Sequence, residues 1–208
     1  MKTVINSFLV GALFFAFACN NPRQQEDSKD IAEETNEELI EDNEMEKSAD
    51  LVVDLVSLNH DELELAELAA EKATSPEVKN VASELVKEHN KMIQDLTALA
   101  ATKGISIPME PSQEGMDKVN KLREEDAENF DEKIVSELES AHRETVDKLE
   151  KLADAEDPDL QTWASNNISK VQAHLDVLKE TEDDVTKNDR ARENSDNNNM
   201  GVEDEVSN

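Results

Sequence analysis

The sequence predicts an all-α protein built as a four-helix bundle, and three observations carry that prediction. Apolar residues recur at helical spacing in four long segments. Between residues 51 and 179 the helix breakers fall between those segments: Ser75-Pro76, Asp157-Pro158, and the stretch from Gly104 to Gly115, which also holds Pro108 and Pro111. Composition removes the main alternatives. With no Tyr, one Trp, five Phe and four Gly, the chain cannot supply the aromatic strands and glycine-rich turns of a sandwich or barrel, and its single cysteine cannot build a disulfide framework.

The first segment is residues 1–18. Lys2 precedes a run from Val4 to Phe17 that is almost wholly apolar, yet too short to cross a bilayer as a helix, so it reads as a signal peptide. Ala18 stands directly before Cys19, which resembles a bacterial lipoprotein signal. Cys19 would then be lipidated, become the mature N-terminus and anchor the protein to a membrane. Ala16 departs from the leucine usual three residues before the cysteine, and ordinary secretion is the competing reading. Asn20 and Asn21 follow in place of an acid, as in lipoproteins sent to the outer membrane, so the expected location is the outer membrane of a cell envelope, on its periplasmic or surface face.

Both ends of the chain are acidic. Residues 20–50 carry twelve acids and three bases and few large apolar groups, which predicts a disordered tether over 19–47. Residues 180–208 carry ten acids, three bases and an asparagine-rich run at 194–199, which predicts a disordered acidic tail over 184–208. The bundle is then 48–183. Its charge is also acidic, about half of the net −30 of the chain. Such a surface repels nucleic acid and anionic substrates, and attracts cations or a basic envelope protein.

Four helices are expected, over 48–74, 76–103, 113–154 and 158–183. Ser75 and Asp157 each put a capping side chain before a proline at the first helical position. The stripes run Leu51, Leu55, Leu58, Leu65, Leu68; Val78, Val81, Leu85, Met92, Leu96; Val119, Leu122, Phe130, Ile134, Leu138, Leu149; and Leu160, Trp163, Val171, Leu175, Leu178. Four Phe lie in the signal, so the core is aliphatic around Phe130 and Trp163. Met92 reads as a gap-filler and His60 as a solvated surface histidine. The second helix is about 40 Å long, and a twelve-residue link reaches at most about 40 Å. Up-down-up-down and crossover arrangements both stay open.

Several of these residues, taken in order, resemble a known family. The run from Glu62 to Ala73, then Val86-Lys87-Glu88-His89, then Leu96 to Pro108, is similar to the first half of the ferritin-like family catalogued as domain of unknown function 4142. Phe130-Asp131, then Leu138 and His142, then His174-Leu175, are similar to its second half. The resemblance implies a ferritin-like bundle in an exported or outer-membrane-associated bacterial protein, in a family without an established biochemical activity. Ile134 replaces the tyrosine usual in the family four residues after the Phe-Asp pair, which argues against a tyrosine-assisted reaction.

Polar groups interrupt the stripes at inward positions. Glu62 lies between Leu58 and Leu65, His89 between Leu85 and Met92, and His142 one turn after Leu138. Asp131 follows Phe130, and His174 stands between Val171 and Leu178. Burying such groups is costly unless they are paired or coordinated. Two readings follow. One is a metal site of carboxylates and imidazoles on facing helices, drawn from Glu62, His89, Asp131, Glu139, His142 and His174, with Fe, Zn, Mn or Cu as the divalent ion. Only Glu139-x-x-His142 has the spacing of a ferritin-like di-iron motif, so a mononuclear site on His89, His142, His174 and Glu62 is the sharper form. The other reading is a buried polar network in which Glu62 or Asp131 accepts hydrogen bonds from the imidazoles. No nucleophile elbow, phosphate loop or cysteine pair is present. The expected function is a non-enzymatic, lipid-anchored envelope protein with a binding or structural bundle. The alternative is a metal-binding ferritin-like protein for redox chemistry or metal storage.

Overall fold

The computed structural model describes residues 27–200. The signal segment and Cys19 lie outside the described residues, as do 201–208. The chain forms six helices: α1 (Ser28–Leu39), α2 (Asn43–Lys72), α3 (Pro76–Lys103), α4 (Gln113–Arg123), α5 (Ala127–Leu152) and α6 (Pro158–Met200). Among the described residues there is no strand, and no helix is long and apolar enough to cross a membrane.

The helix ends follow from local chemistry. The Ser75 hydroxyl accepts from the Glu77 and Val78 amides, with Pro76 at the first position of α3. The Asp157 carboxylate accepts from the Asp159 and Leu160 amides at the start of α6. Helix α3 ends on Gly104 at φ 72°, the left-handed conformation that glycine adopts without a Cβ penalty.

Long-range contacts set the helix directions. Short links at 73–75 and 153–157 make α2/α3 and α5/α6 antiparallel pairs. Lys148 pairs with Asp54, the Thr145 hydroxyl donates to Glu62, and the Thr74 amide donates to Asp131. These pairs advance along α2 while retreating along α5, so α2 and α5 are antiparallel. Helices α3 and α5 therefore run the same way, and their connection must travel back along the molecule. Helix α4 makes that journey beside α2: the Ser112 amide and hydroxyl donate to Asp61 at its start, and Lys72 meets its end. Of the two arrangements open from the sequence, the long helices adopt the crossover order, up-down-down-up.

This connection explains why the single helix expected over 113–154 is two. Glu124, Glu125 and Asp126 place three acids at the end of α4, where negative charge opposes the helix dipole. Asp126 is extended, with φ −68° and ψ 148°. The Lys72 ammonium, arriving from α2, donates to the carbonyls of Leu122 (3.1 Å), Arg123 (2.7 Å) and Glu125 (2.5 Å) and sits 4.7 Å from the Phe130 ring centroid. The break is thus closed by a residue about fifty positions away in sequence. Lys72→Met is expected to cost about 2 kcal/mol in thermal denaturation, because it strips charged hydrogen bonds from several carbonyls at once.

The tether and tail differ from expectation as well. Helix α1 occupies part of the segment read as a disordered tether, and α2 starts at Asn43, capped by Asp42. The α1 contacts are mostly polar. Buried Asn36 donates to the Ser106 carbonyl at 2.9 Å and accepts from the Ser106 amide at 2.7 Å, and Lys29 pairs with Asp54 at 2.7 Å. Ala32 is the apolar residue that α1 buries, while Ile31 and Leu39 stay exposed. Helix α6 continues past residue 183 to Met200, adding buried Val185 to the core.

The core is divided in two along its length. One half packs Leu65, Leu68, Val78, Leu85, Phe130, Ile134, Leu138 and Leu178. The other packs Val52, Leu55, Met92, Leu96, Leu149, Leu160, Val171 and Leu175, with half-buried Trp163 against it. On α2, α3 and α5 the division falls at the polar residue that interrupts the stripe, and on α6 it falls just after His174, between Leu175 and Leu178.

Candidate metal centre

Each long helix brings one of those residues to the middle of the molecule: Glu62 from α2, His89 from α3, His142 from α5 and His174 from α6. The first three side chains are fully buried, and that of His174 is 11% exposed. The three imidazoles form a triangle. Ring centroids are 5.0 Å apart for His89 and His142, 5.7 Å for His89 and His174, and 5.4 Å for His142 and His174. One metal-capable nitrogen from each ring lies within 4.8 Å of the other two.

Hydrogen bonds around the triangle decide where the ring protons are. His142 Nδ1 lies 2.8 Å from the Leu138 carbonyl, which only accepts, so Nδ1–H donates and a neutral ring has a bare Nε2. His89 Nδ1 lies 3.0 Å from Asn59 Oδ1. The Asn59 amide is oriented by its own Nδ2, which donates to the Leu55 carbonyl at 2.7 Å, so the oxygen faces His89 and again Nδ1–H donates. The two bare Nε2 atoms then face each other at 3.1 Å. On the third ring, Nε2–H donates to Glu88 at 2.7 Å, and the buried Nδ1 has no partner.

Glu62 lies behind this triangle. Its Oε2 is 3.4 Å from His89 Nδ1 and its Oε1 3.4 Å from His142 Nδ1, while Oε1 accepts from the Thr145 hydroxyl at 3.0 Å. The contacts are not ion pairs near neutrality. Burial pushes the Glu62 carboxyl up to about 8, lowers His142 to about 3, and holds His89 well below the usual imidazole range, helped by the neighbouring rings. Three buried side-chain polar atoms among the described residues lack a partner, Glu62 Oε2, His174 Nδ1 and Trp163 Nε1, and two of them belong to this cluster. Orphaned buried polar atoms call for an explanation such as a bound ion.

The remaining candidates lie elsewhere. Asp131 sits at the α2–α3 corner, where it accepts from the Thr74 amide (2.9 Å), the Thr74 hydroxyl (2.7 Å) and the Ser75 amide (2.7 Å); its place beside Phe130 marked burial, and the partner proved to be backbone. Asp131→Ala is expected to cost about 3 kcal/mol in chemical denaturation while leaving metal affinity intact. Glu139 pairs with Arg143 one turn along α5. Glu62, expected among the ligands, faces the Nδ1 edges rather than the bare nitrogens. His60 is half-buried, and burial lowers its pKa. Asn59 and Thr145 went unnoticed in the sequence, although each lies three positions from a cluster member on the same helix face. Glu88 entered only within the run Val86 to His89 that carries the resemblance, with no role assigned to it.

A family model described as Domain of unknown function (DUF4142) matches residues 33–181. The chain belongs to this family. The DUF4142 span reaches back into α1 and forward into α6, so it contains all four members of the cluster and most of α1, which occupies part of the expected tether. No match was found among curated proteins or among solved structures.

Proposed function

We propose that this DUF4142 protein is an exported envelope lipoprotein, anchored through Cys19, whose ferritin-like four-helix bundle holds a single transition-metal ion on His89, His142 and His174. The crossover order of the long helices supports the ferritin-like reading. The observation that carries the metal assignment is the pair of bare Nε2 atoms at 3.1 Å. The neutral tautomers fixed by Asn59 and the Leu138 carbonyl put no proton between them, and burial disfavours the imidazolium that would add one. A metal ion satisfies both lone pairs. At metal–nitrogen distances of about 2.0–2.1 Å, two nitrogens on one tetrahedral ion stand roughly 3.3 Å apart, close to the spacing already present.

The surroundings fit the same reading. Asn59, the Leu138 carbonyl and Glu88 each take the outward N–H of one ring, the arrangement that orients histidine ligands and raises their basicity. Ionised Glu62 would supply a counter-charge without binding the ion directly. Three imidazoles favour Zn, Cu or Fe over Mg or Ca. The cluster holds one carboxylate, against the four of a ferritin-like di-iron centre, so binding, transfer or storage of a single ion fits better than ferroxidase chemistry. Elemental analysis of protein isolated from its envelope without chelators should find about one transition-metal ion per chain. A metal-free protein whose melting temperature does not respond to Zn, Cu, Mn or Fe would refute the assignment.

A further inference from the structure

The triangle is not equally buried on all sides. His89 and His142 have no solvent-accessible side-chain surface, His174 keeps 11%, and its partner Glu88 keeps 50%. Both border a groove of about 410 Å³ between α3 and α6, whose walls include Val81, Leu85, Ala173 and Val177. An ion travelling from solvent to the bare nitrogens meets His174 before either of the other rings. Glu88, half exposed and hydrogen-bonded to His174, stands on the solvent side of that ring.

We propose that Glu88 and His174 form an outer capture site and gate for a divalent transition-metal ion, which passes from this pair to the buried nitrogens as the His174 side chain turns. The inference rests on the tri-histidine reading and adds the route and the first contact. Glu88 Oε2 and His174 Nε2 are 2.7 Å apart with a proton between them, and a carboxylate oxygen beside an imidazole nitrogen is a two-donor set for such an ion in the ring's other neutral tautomer: the proton sits on Nδ1 while Nε2 holds the ion, and returns to Nε2, facing Glu88, when Nδ1 takes the ion inward. The same groove also bears Asn80 and Glu84, but Glu84 is paired with Lys87 at 2.7 Å, and Glu88 with His174 is the place in it where a carboxylate meets an imidazole. His174 serves both stages because its two nitrogens are differently placed: Nε2 faces Glu88, and Nδ1 is buried and unpartnered.

The test is stopped-flow loading of the metal-free protein with Co²⁺, whose visible absorption reports binding to nitrogen ligands, followed by release to a chelator. Glu88→Gln keeps an acceptor for His174 but removes the charge, and should slow loading about tenfold, a loss typical of removed electrostatic attraction. Val177→Trp fills the groove from an exposed wall position. It should slow loading and release by the same factor and leave the equilibrium affinity unchanged, as expected for an obstructed path. A variant that loads at the wild-type rate overturns its part of the proposal: Glu88→Gln the capture step, Val177→Trp the route. Wild-type protein that takes up no Co²⁺ overturns the tri-histidine assignment itself, and the gate falls with it.

Discussion

Zn²⁺ at about a hundredfold excess over its dissociation constant should raise the melting temperature of the metal-free protein by about 5–10 °C, and His142→Ala should abolish the rise. The size follows from linkage. Binding confined to the folded state adds about 2.7 kcal/mol at that excess, and each kcal/mol moves the midpoint of a domain this size by about 2–4 °C. The confinement is structural: His89, His142 and His174 come from three helices, and an unfolded chain does not hold them together. His142→Ala removes one of the two facing nitrogens and leaves the other two rings in place, so it separates coordination from nonspecific binding to an acidic surface. The same protein bearing Asp131→Ala should keep the full rise from a lower starting temperature.

The second large effect is a pH profile that changes shape when metal binds. Glu62 has its carboxyl raised from 4.5 to about 8, so between those values the folded state holds a proton that the unfolded state has lost. Stability contributed by this group therefore falls as pH rises through the window. For His89 and His142 the folded pKa is depressed below 6.5. The unfolded state then holds the extra protons below pH 6.5, and stability falls as pH drops. Two histidines outweigh one carboxyl on the acid side, while the carboxyl acts alone above. The cluster's contribution to the metal-free protein should peak near pH 6.5 and decline by about 1 kcal/mol towards pH 8, the loss from Glu62 being partly offset by the last of the histidine titration in the unfolded chain. Glu62→Gln should remove the alkaline decline, measured as the difference from wild type in urea denaturation at each pH. Saturating Zn²⁺ should remove it as well, because an ionised Glu62 is favoured beside a bound cation.

The parts of this architecture written in local patterns were legible in the sequence. The stripes located the four long helices, Ser75-Pro76 and Asp157-Pro158 located two of their starts, and interruption of the stripes marked Glu62, His89, His142 and His174 as inward groups, together with Asp131. What escaped depends on partners distant in sequence. The break between α4 and α5 has no glycine or proline and is closed by Lys72. Helix α1 buries one alanine and is held by Asn36 against Ser106, so neither its composition nor its periodicity marks it as packed. Asp131 and His142 both looked like inward polar groups at helical spacing. Only the neighbouring helix distinguishes them, since one faces the open amides of Thr74 and Ser75 and the other faces a second bare imidazole nitrogen.

That last contact is the centre of the account, and X-ray absorption of the zinc-loaded protein examines it directly. Three imidazole nitrogens at about 2.0–2.1 Å, with the outer-shell scattering of histidine rings, are the predicted result. That scattering should weaken in His89→Ala. An oxygen-dominated shell, or a histidine signal that survives unchanged in His89→Ala, would contradict the tri-histidine site.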